Sequence, residues 1–206
     1  MQEHNVIQQS DEWFELRKNH FLTASHAQAI GTGGKGLETL VWDKLAERYS
    51  SEPKELYTNG DMERGNELEA EARSYYEAET FNQVKEVGFV TNKDISILAG
   101  ASPDGLVGED GLVEIKCPND TKFFRLSVKM EVEPQYDWQM QMQMLITGRQ
   151  WVDYVVFNPH FERPILIHRV KRDEEKLDKL VKGLKKGEQL AEEIIEQYET
   201  KQNEAI

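Results

Sequence analysis

The chain has 206 residues, 38% hydrophobic and 31% charged, with a formal net charge of −13 and a single cysteine. That length builds one domain with a sizeable core, and the composition is too apolar-patterned for general disorder. One cysteine excludes an intrachain disulfide and any four-cysteine zinc or iron–sulfur centre, and no apolar run reaches transmembrane length. The polar opening Met1-Gln2-Glu3-His4-Asn5 does not read as a signal peptide, so the expected location is cytoplasmic with no membrane partner. The acidic total argues against nucleic acid, but it is unevenly spread. Residues 38–83 carry five Lys/Arg against twelve Asp/Glu, whereas residues 113–149 carry five of each.

Taken in order, Ser10 to Arg17 reads as a capped helix with acids in its first turn. Thr23-Ala24-Ser25 opens a second short helix, Ser25 to Ile30, ended by Gly31. A hydroxyl there serves either as a plain cap or as part of a phosphate site. Gly31 to Gly36 is expected to be a mobile loop tipped by Lys35, without the spacing of a P-loop. Leu37 to Tyr49 is an amphipathic helix, and Ser50 to Tyr57 is a Pro-containing connection. The longest central helix runs from Asn59 to Glu79 and is expected to break locally at Gly65. Its acids form a solvated face, and Glu69, beside Leu68, Ala72 and Tyr76, is the one placed to look inward.

Val84 to Val90 and Ile95 to Ala101 read as strands that continue into a β-hairpin, giving an antiparallel meander. In that hairpin two apolar runs, ending at Val107 and starting at Leu112, flank Gly108-Glu109-Asp110-Gly111. Thr121 to Val128 is a short helix. Gln and Met alternate from 139 to 144 as they would on a strand, but Pro134 before and Gly148 after bracket a helix. On that helix Gln135, Gln139 and Gln143 share a stripe facing a site, while the methionines are core. Strands Trp151 to Asn158 and Ile165 to Val170 follow, then a long amphipathic helix from Asp173 to about Gln197 and a tail, 200–206, expected to fray. The ordered core thus spans about residues 10–200 of a single domain.

The chemistry concentrates in the hairpin. The period of two puts Glu114 and Lys116 on one face of the second strand and Val113, Ile115 and Cys117 on the other. Asp104, in the Pro-Asp-Gly turn opening the first strand, is brought toward Glu114 by the pairing. Converging buried charges need partners or a metal. No Gly-x-Ser-x-Gly elbow or His-Glu-x-x-His spacing occurs, and Cys117 is a structural thiol. Glycosidase chemistry would leave Lys116 idle. Metal-assisted phosphodiester hydrolysis uses all three groups, with hard carboxylate oxygens for Mg²⁺ or Mn²⁺ and a lysine charge beside the attacking water.

Pro103-Asp104, a hairpin, then Glu114-Ile115-Lys116 matches the Pro-Asp…Glu-x-Lys pattern of a large nuclease superfamily. With Arg17 before Thr23-Ala24-Ser25, Arg64-Gly65-Asn66-Glu67-Leu68-Glu69, Ser102-Pro103-Asp104-Gly105, Glu114-Ile115-Lys116-Cys117-Pro118 and Tyr136…Gln139-Met140-Gln141 in order, the chain resembles the phage lambda exonuclease family, the YqaJ-type viral recombinases. The resemblance covers roughly residues 10 to 200.

It implies an α/β (α+β) fold with a restriction-endonuclease-like PD-(D/E)XK core, a central mixed sheet flanked by helices. It further implies a Mg²⁺-dependent 5′-to-3′ exonuclease on linear double-stranded DNA that leaves 3′ overhangs for homologous recombination. A ring-shaped homotrimer, two metal ions per site and a single-strand annealing recombinase as partner come with it. By position, Asp104, Glu114, the Ile115 carbonyl and Glu69 would hold metal, and Lys116 would be the catalytic lysine. Arg17, Ser25 and Gln139, with Gln141, would hold the 5′-phosphate and DNA, and Lys35 would reach into the duplex. The segment from Arg17 to Thr23 is one residue longer than the family spacing, leaving Arg17 and Lys18 as alternatives for the anchor. Some relatives place a tyrosine four residues after the glutamine; that position is Gln143 here, and no tyrosine role carries over. An endonuclease or RecB-type nuclease on the same core, or a DNA-end binding protein without catalysis, are the competing readings.

Overall fold

A computed structural model describes residues 1–51 and 60–204. The Pro-containing connection expected over 50–57 therefore lies mostly outside the described residues. The elements are β1 (Gln2–His4), α1 (Asp11–Asn19), β2 (Leu22–Thr23), a 3-10 turn (Ala24–His26), α2 (Ala27–Thr32), α3 (Gly34–Tyr49) and α4 (Gly60–Thr80). There follow β3 (Val84–Lys85), β4 (Phe89–Asn92), β5 (Ser96–Ala101), β6 (Gly105–Val107) and β7 (Gly111–Lys116). The remainder is α5 (Asp120–Val128), α6 (Pro134–Thr147), β8 (Trp151–Phe157), β9 (Ile165–Lys171) and α7 (Glu174–Glu204).

The strands form two mixed sheets, ordered β1-β4-β5-β2 and β3-β6-β7-β8-β9. The expected meander is thus divided. β4 pairs with β5 in the first sheet, while β3 pairs with β6 and β6 with β7 in the second. The chain changes sheets at Ser102-Pro103-Asp104, where proline cannot donate to a ladder. β7 runs parallel to β8, and α5 and α6 make the long connection a parallel pair requires.

Three local expectations change. α4 runs through Gly65 without a break, because one glycine costs a helix interior only about 1 kcal/mol. The glycine-rich segment is not a loop: α2 continues through Gly31 to Thr32, and α3 begins at Gly34. The chain turns at Gly33 and Gly34, both at positive φ (67° and 63°), and Lys35 stands exposed in the first turn of α3. The tail also does not fray where expected, since α7 persists to Glu204.

Pro134 in its first turn and left-handed Gly148 at its end make α6 a helix despite the alternating sequence. Every residue from Met140 to Thr147 is buried, because α6 contacts β4 and β5 of one sheet and β8 of the other. One core cluster gathers Leu112, Met140, Met142 and Met144 with the helices α2, α3 and α7. A second, under α4, gathers Val113, Ile115 and Cys117 with Ala72 and Tyr76. The two faces expected of β7 therefore meet different cores, and Glu114 lies on the α6 side.

α7 crosses α2 at Gly183, where a β-carbon would fall 2.0 Å from the carbonyl oxygen of Ile30. Gly36, exposed in α3, has only the Ala29 side chain at 3.8 Å. Gly183→Ala is expected to lose about 1–2 kcal/mol, since overpacking against backbone outweighs the gain in helix propensity. Gly36→Ala should gain up to about 1 kcal/mol. Thermal melting of the two variants should shift in opposite directions.

Candidate active site

The hairpin pairs Gly105 with Val113 and Val107 with Gly111, which fixes Asp104 one step beyond the register, opposite Glu114. The Asp104 carboxylate accepts a hydrogen bond from the Ile115 amide at 2.6 Å. Glu114 is only 1% exposed, and its two oxygens are held by three donors. Oε1 accepts from the Lys116 ammonium at 2.5 Å and from Gln139 Nε2 at 2.7 Å. Oε2 accepts from Gln143 Nε2 at 2.6 Å. A buried carboxylate this fully donated to is oriented as well as tolerated.

The charges crowd one another. Burial pushes the Asp104 carboxyl well above the usual aspartate range, and the neighbouring Glu114 pushes the same way. Burial works against the charge on Lys116, but Glu114 and Asp104 outweigh it and raise its pKa, so it stays protonated. Glu69 on α4 is raised chiefly by burial, with its partner Arg73 pulling the other way and Glu114 adding to the rise. Glu69 accepts from Arg73 at 2.7 Å, and Arg73 also holds Glu86 at 2.8 Å. Among the described residues no three Asp, Glu, His or Cys side chains are gathered closely enough to hold a metal. Asp104 and Glu114 form the immediate pair, and Glu69 stands at the rim, tied to Arg73.

A second constellation lies on α1. The Arg17 guanidinium donates to Ser25 Oγ at 3.0 Å and to Thr23 Oγ1 at 3.4 Å, and the two hydroxyls are 2.9 Å apart. It stacks over the Trp13 ring, 4.4 Å from its centroid. Burial lowers its pKa to about 10, and among the described residues no carboxylate pairs with it. An arginine held between hydroxyls without a counter-charge is suited to an anion. Lys18 is exposed on the same helix, so Arg17 is the residue that meets Ser25.

The remaining candidates divide. Gln139 is brought to Glu114. Gln141 is not at the site: it is buried, with its amide donating to the Lys171 carbonyl at 2.9 Å and accepting from the Asp173 amide at 2.8 Å. Because residues i and i+2 of a helix face different sides, Gln141 instead ties α6 to the β9–α7 junction, which corrects its DNA-binding assignment. Gln135 is exposed and bonded to Glu133. Cys117 is buried, and burial raises its thiol to about 12, as befits a structural cysteine.

Two braces escape sequence reasoning. Trp13 Nε1 donates to Ser102 Oγ at 2.9 Å and to the Gly88 carbonyl at 3.1 Å. Gln8 donates to the Pro103 carbonyl at 3.2 Å. No spacing rule links these residues to a turn some ninety positions away. Gln143 is different, since the glutamine stripe already pointed to it.

Beside the site, an open groove of about 760 Å³ runs along α5 and the start of α6. Arg64, Lys122, Arg125 and Lys129 line it against Asp120, Glu131 and Glu133, a balance of four cations to three acids in a strongly acidic chain. The Tyr136 ring joins groove to site, with the ammonium groups of Lys116 and Lys122 at 5.2 and 5.5 Å from its centroid.

The two-sheet α/β architecture with carboxylates and a lysine on one hairpin is that of a restriction-endonuclease-like, PD-(D/E)XK core. The chain belongs to the YqaJ-like viral recombinase family, whose domain matches residues 12–150. The crystal structure of an alkaline exonuclease (LHK-Exo) from Laribacter hongkongensis is 32% identical, with a TM-score of 0.86 over 96% of this chain and 100% of that one. LHK-Exo in complex with dAMP matches with a TM-score of 0.85 at 32% identity, over the same shares. A phage related exonuclease from Haemophilus somnus 129PT, 16% identical, shares the fold with a TM-score of 0.63 over 86% of this chain and 96% of that one. No curated protein matches in sequence. These likenesses support a nuclease. Among the described residues no helix is long and apolar enough to cross a membrane.

Proposed function

We propose that the protein is a Mg²⁺-dependent exonuclease that digests one strand of linear double-stranded DNA from its 5′ end and leaves a 3′ overhang for recombination. The observation that carries this reading is the convergence of Asp104, Glu114 and Lys116 on one hairpin, with Gln139 and Gln143 fixing Glu114. The donor set fits Mg²⁺ or Mn²⁺. Asp104, Glu114 and the Ile115 carbonyl offer hard oxygens, and the crowded negative charge on Asp104 and Glu69 is what a divalent cation would relieve. Such ions, one or two per site, would activate water and stabilise the leaving oxygen when bound.

The chain's own residues supply the rest. Lys116, kept protonated by its acidic neighbours, acts as a fixed positive charge beside the developing phosphorane rather than as a base. Glu69, held by Arg73, supplies further negative charge at the rim. Arg17, Thr23 and Ser25 form the anion pocket for the 5′-phosphate, and the groove along α5 receives the sugar-phosphate backbone. Exposed Lys35 reaches the duplex from α3. A dAMP complex of the 32% identical LHK-Exo is consistent with a mononucleotide product. By family resemblance the working form is a homotrimeric ring that hides its acidic surface outside the channel and cooperates with a single-strand annealing recombinase in the cytoplasm.

Timed digestion of linear duplex, circular duplex and duplex with either end blocked, in Mg²⁺, Ca²⁺ or EDTA, tests this. Linear duplex should be consumed only with Mg²⁺ or Mn²⁺, with label lost first from the 5′ end. Circular duplex cut as fast as linear would point to an endonuclease. Metal-independent binding without nucleotide release would point to an end-binding protein.

A further inference from the structure

Gln143 is wholly buried, on the stripe of α6 that faces β7, among methionines and aliphatic residues. A carboxylate only accepts, so the amide nitrogen must be the atom turned to Glu114 Oε2, at 2.6 Å. The same constraint leaves the other end of the amide, Oε1, as an acceptor without a partner. A buried acceptor left unsatisfied is destabilising, a cost that an apolar residue of similar size would avoid. Its neighbours Met142 and Met144 show what the core alone would accept. The orphan sits beside a carboxylate that already faces a lysine and a second glutamine, where ordered water has polar partners.

We propose that Gln143 is a positioning residue for the nuclease centre. Its amide nitrogen sets the rotation of the Glu114 carboxylate by engaging Oε2, the oxygen that Lys116 and Gln139 leave alone. Its amide oxygen accepts a hydrogen bond from water bound in that centre. Oε1 is thus drawn to one side by Lys116 and Gln139 and Oε2 to the other by Gln143, so neither oxygen turns away from its task. This assignment rests on the metal-dependent reading of Asp104 and Glu114, and Gln143 itself touches neither metal nor substrate. Partners of this kind alter metal affinity by about 10–100-fold.

The test uses Gln143→Met, which keeps volume and apolar packing, and Gln143→Asn, which keeps the amide on a shorter stem. Calorimetric Ca²⁺ binding without DNA is read beside kcat and KM on linear duplex with Mg²⁺, and beside thermal melting. Gln143→Met removes the orphan acceptor but strands Glu114 Oε2, so it should melt somewhat below wild type, bind Ca²⁺ about 10-fold more weakly and lose about 10-fold or more in kcat at unchanged KM. Gln143→Asn should fall between Gln143→Met and wild type in Ca²⁺ affinity. Wild-type Ca²⁺ affinity and kcat in both variants would overturn the assignment, as would a loss confined to melting temperature. Weakened Ca²⁺ binding in a protein whose wild type digests no DNA would support the assignment and sink the nuclease reading instead.

Discussion

Lys116→Ala is expected to reduce digestion of linear duplex DNA by about 10³-fold, with Asp104→Asn at least as severe. The reasoning starts from charge. Glu114 and Asp104 hold Lys116 protonated, so under the proposed mechanism it would deliver a full positive charge where the phosphorane develops, in a half-buried setting where water screens poorly. Alanine removes that charge and one of three donors to Glu114, whose side chain is 1% exposed. Lys116 itself keeps 29% of its side-chain surface, so solvent replaces the lost donor and the fold survives with a modest loss of stability. Circular dichroism and duplex binding in Ca²⁺ should therefore remain close to wild type while nucleotide release disappears. Digestion at the wild-type rate in either variant would remove the hairpin from the chemistry altogether.

Arg17→Ala is expected to erase a preference for 5′-phosphorylated ends. Wild-type protein should digest 5′-phosphate duplex faster than 5′-hydroxyl duplex by about 10–100-fold, the worth of one charged hydrogen-bonded contact. The variant should digest both at the slower rate. Arg17 is desolvated and, among the described residues, bonded only to hydroxyls, so its charge is carried at a cost in the absence of an anion. Loss of stacking on Trp13 opposes the relief of that cost, leaving melting within about 1 kcal/mol of wild type. A wild type indifferent to the terminal phosphate, or an Arg17→Ala protein that keeps the preference, would move end recognition elsewhere.

What the sequence made legible was local. The hairpin, the two faces of its second strand and the helical reading of 134–147 all follow from period, turn residues and capping, and all appear in the structure. The glycine-rich stretch misled because glycine density marks a loop only when the backbone has no packing to gain. Here Gly31 sits under the Trp138 ring, where a β-carbon would come within 2.2 Å of it, and only Gly33 and Gly34 break the helix. The short motif groups Gln141 with Gln139, although two positions along a helix point it away from Glu114 and toward Asp173. The division of strands between two sheets was not legible, because Ser96 to Ala101 and Gly105 to Val107 read alike and only long-range pairing separates them. The braces from Gln8 and Trp13 belong to the same class of long-range fact.

One of those braces has a mechanical result. Trp13 carries Arg17 on its ring face and grips Ser102, two residues before Asp104, through its indole N–H. One rigid aromatic side chain thus spans the distance between the anion pocket and the carboxylate pair, and Gln8 pins the intervening Pro103 carbonyl. Under the proposed reading this makes a fixed gauge. A strand end seated against Arg17 would then keep a constant relation to Asp104, because one indole ring ties the two segments together.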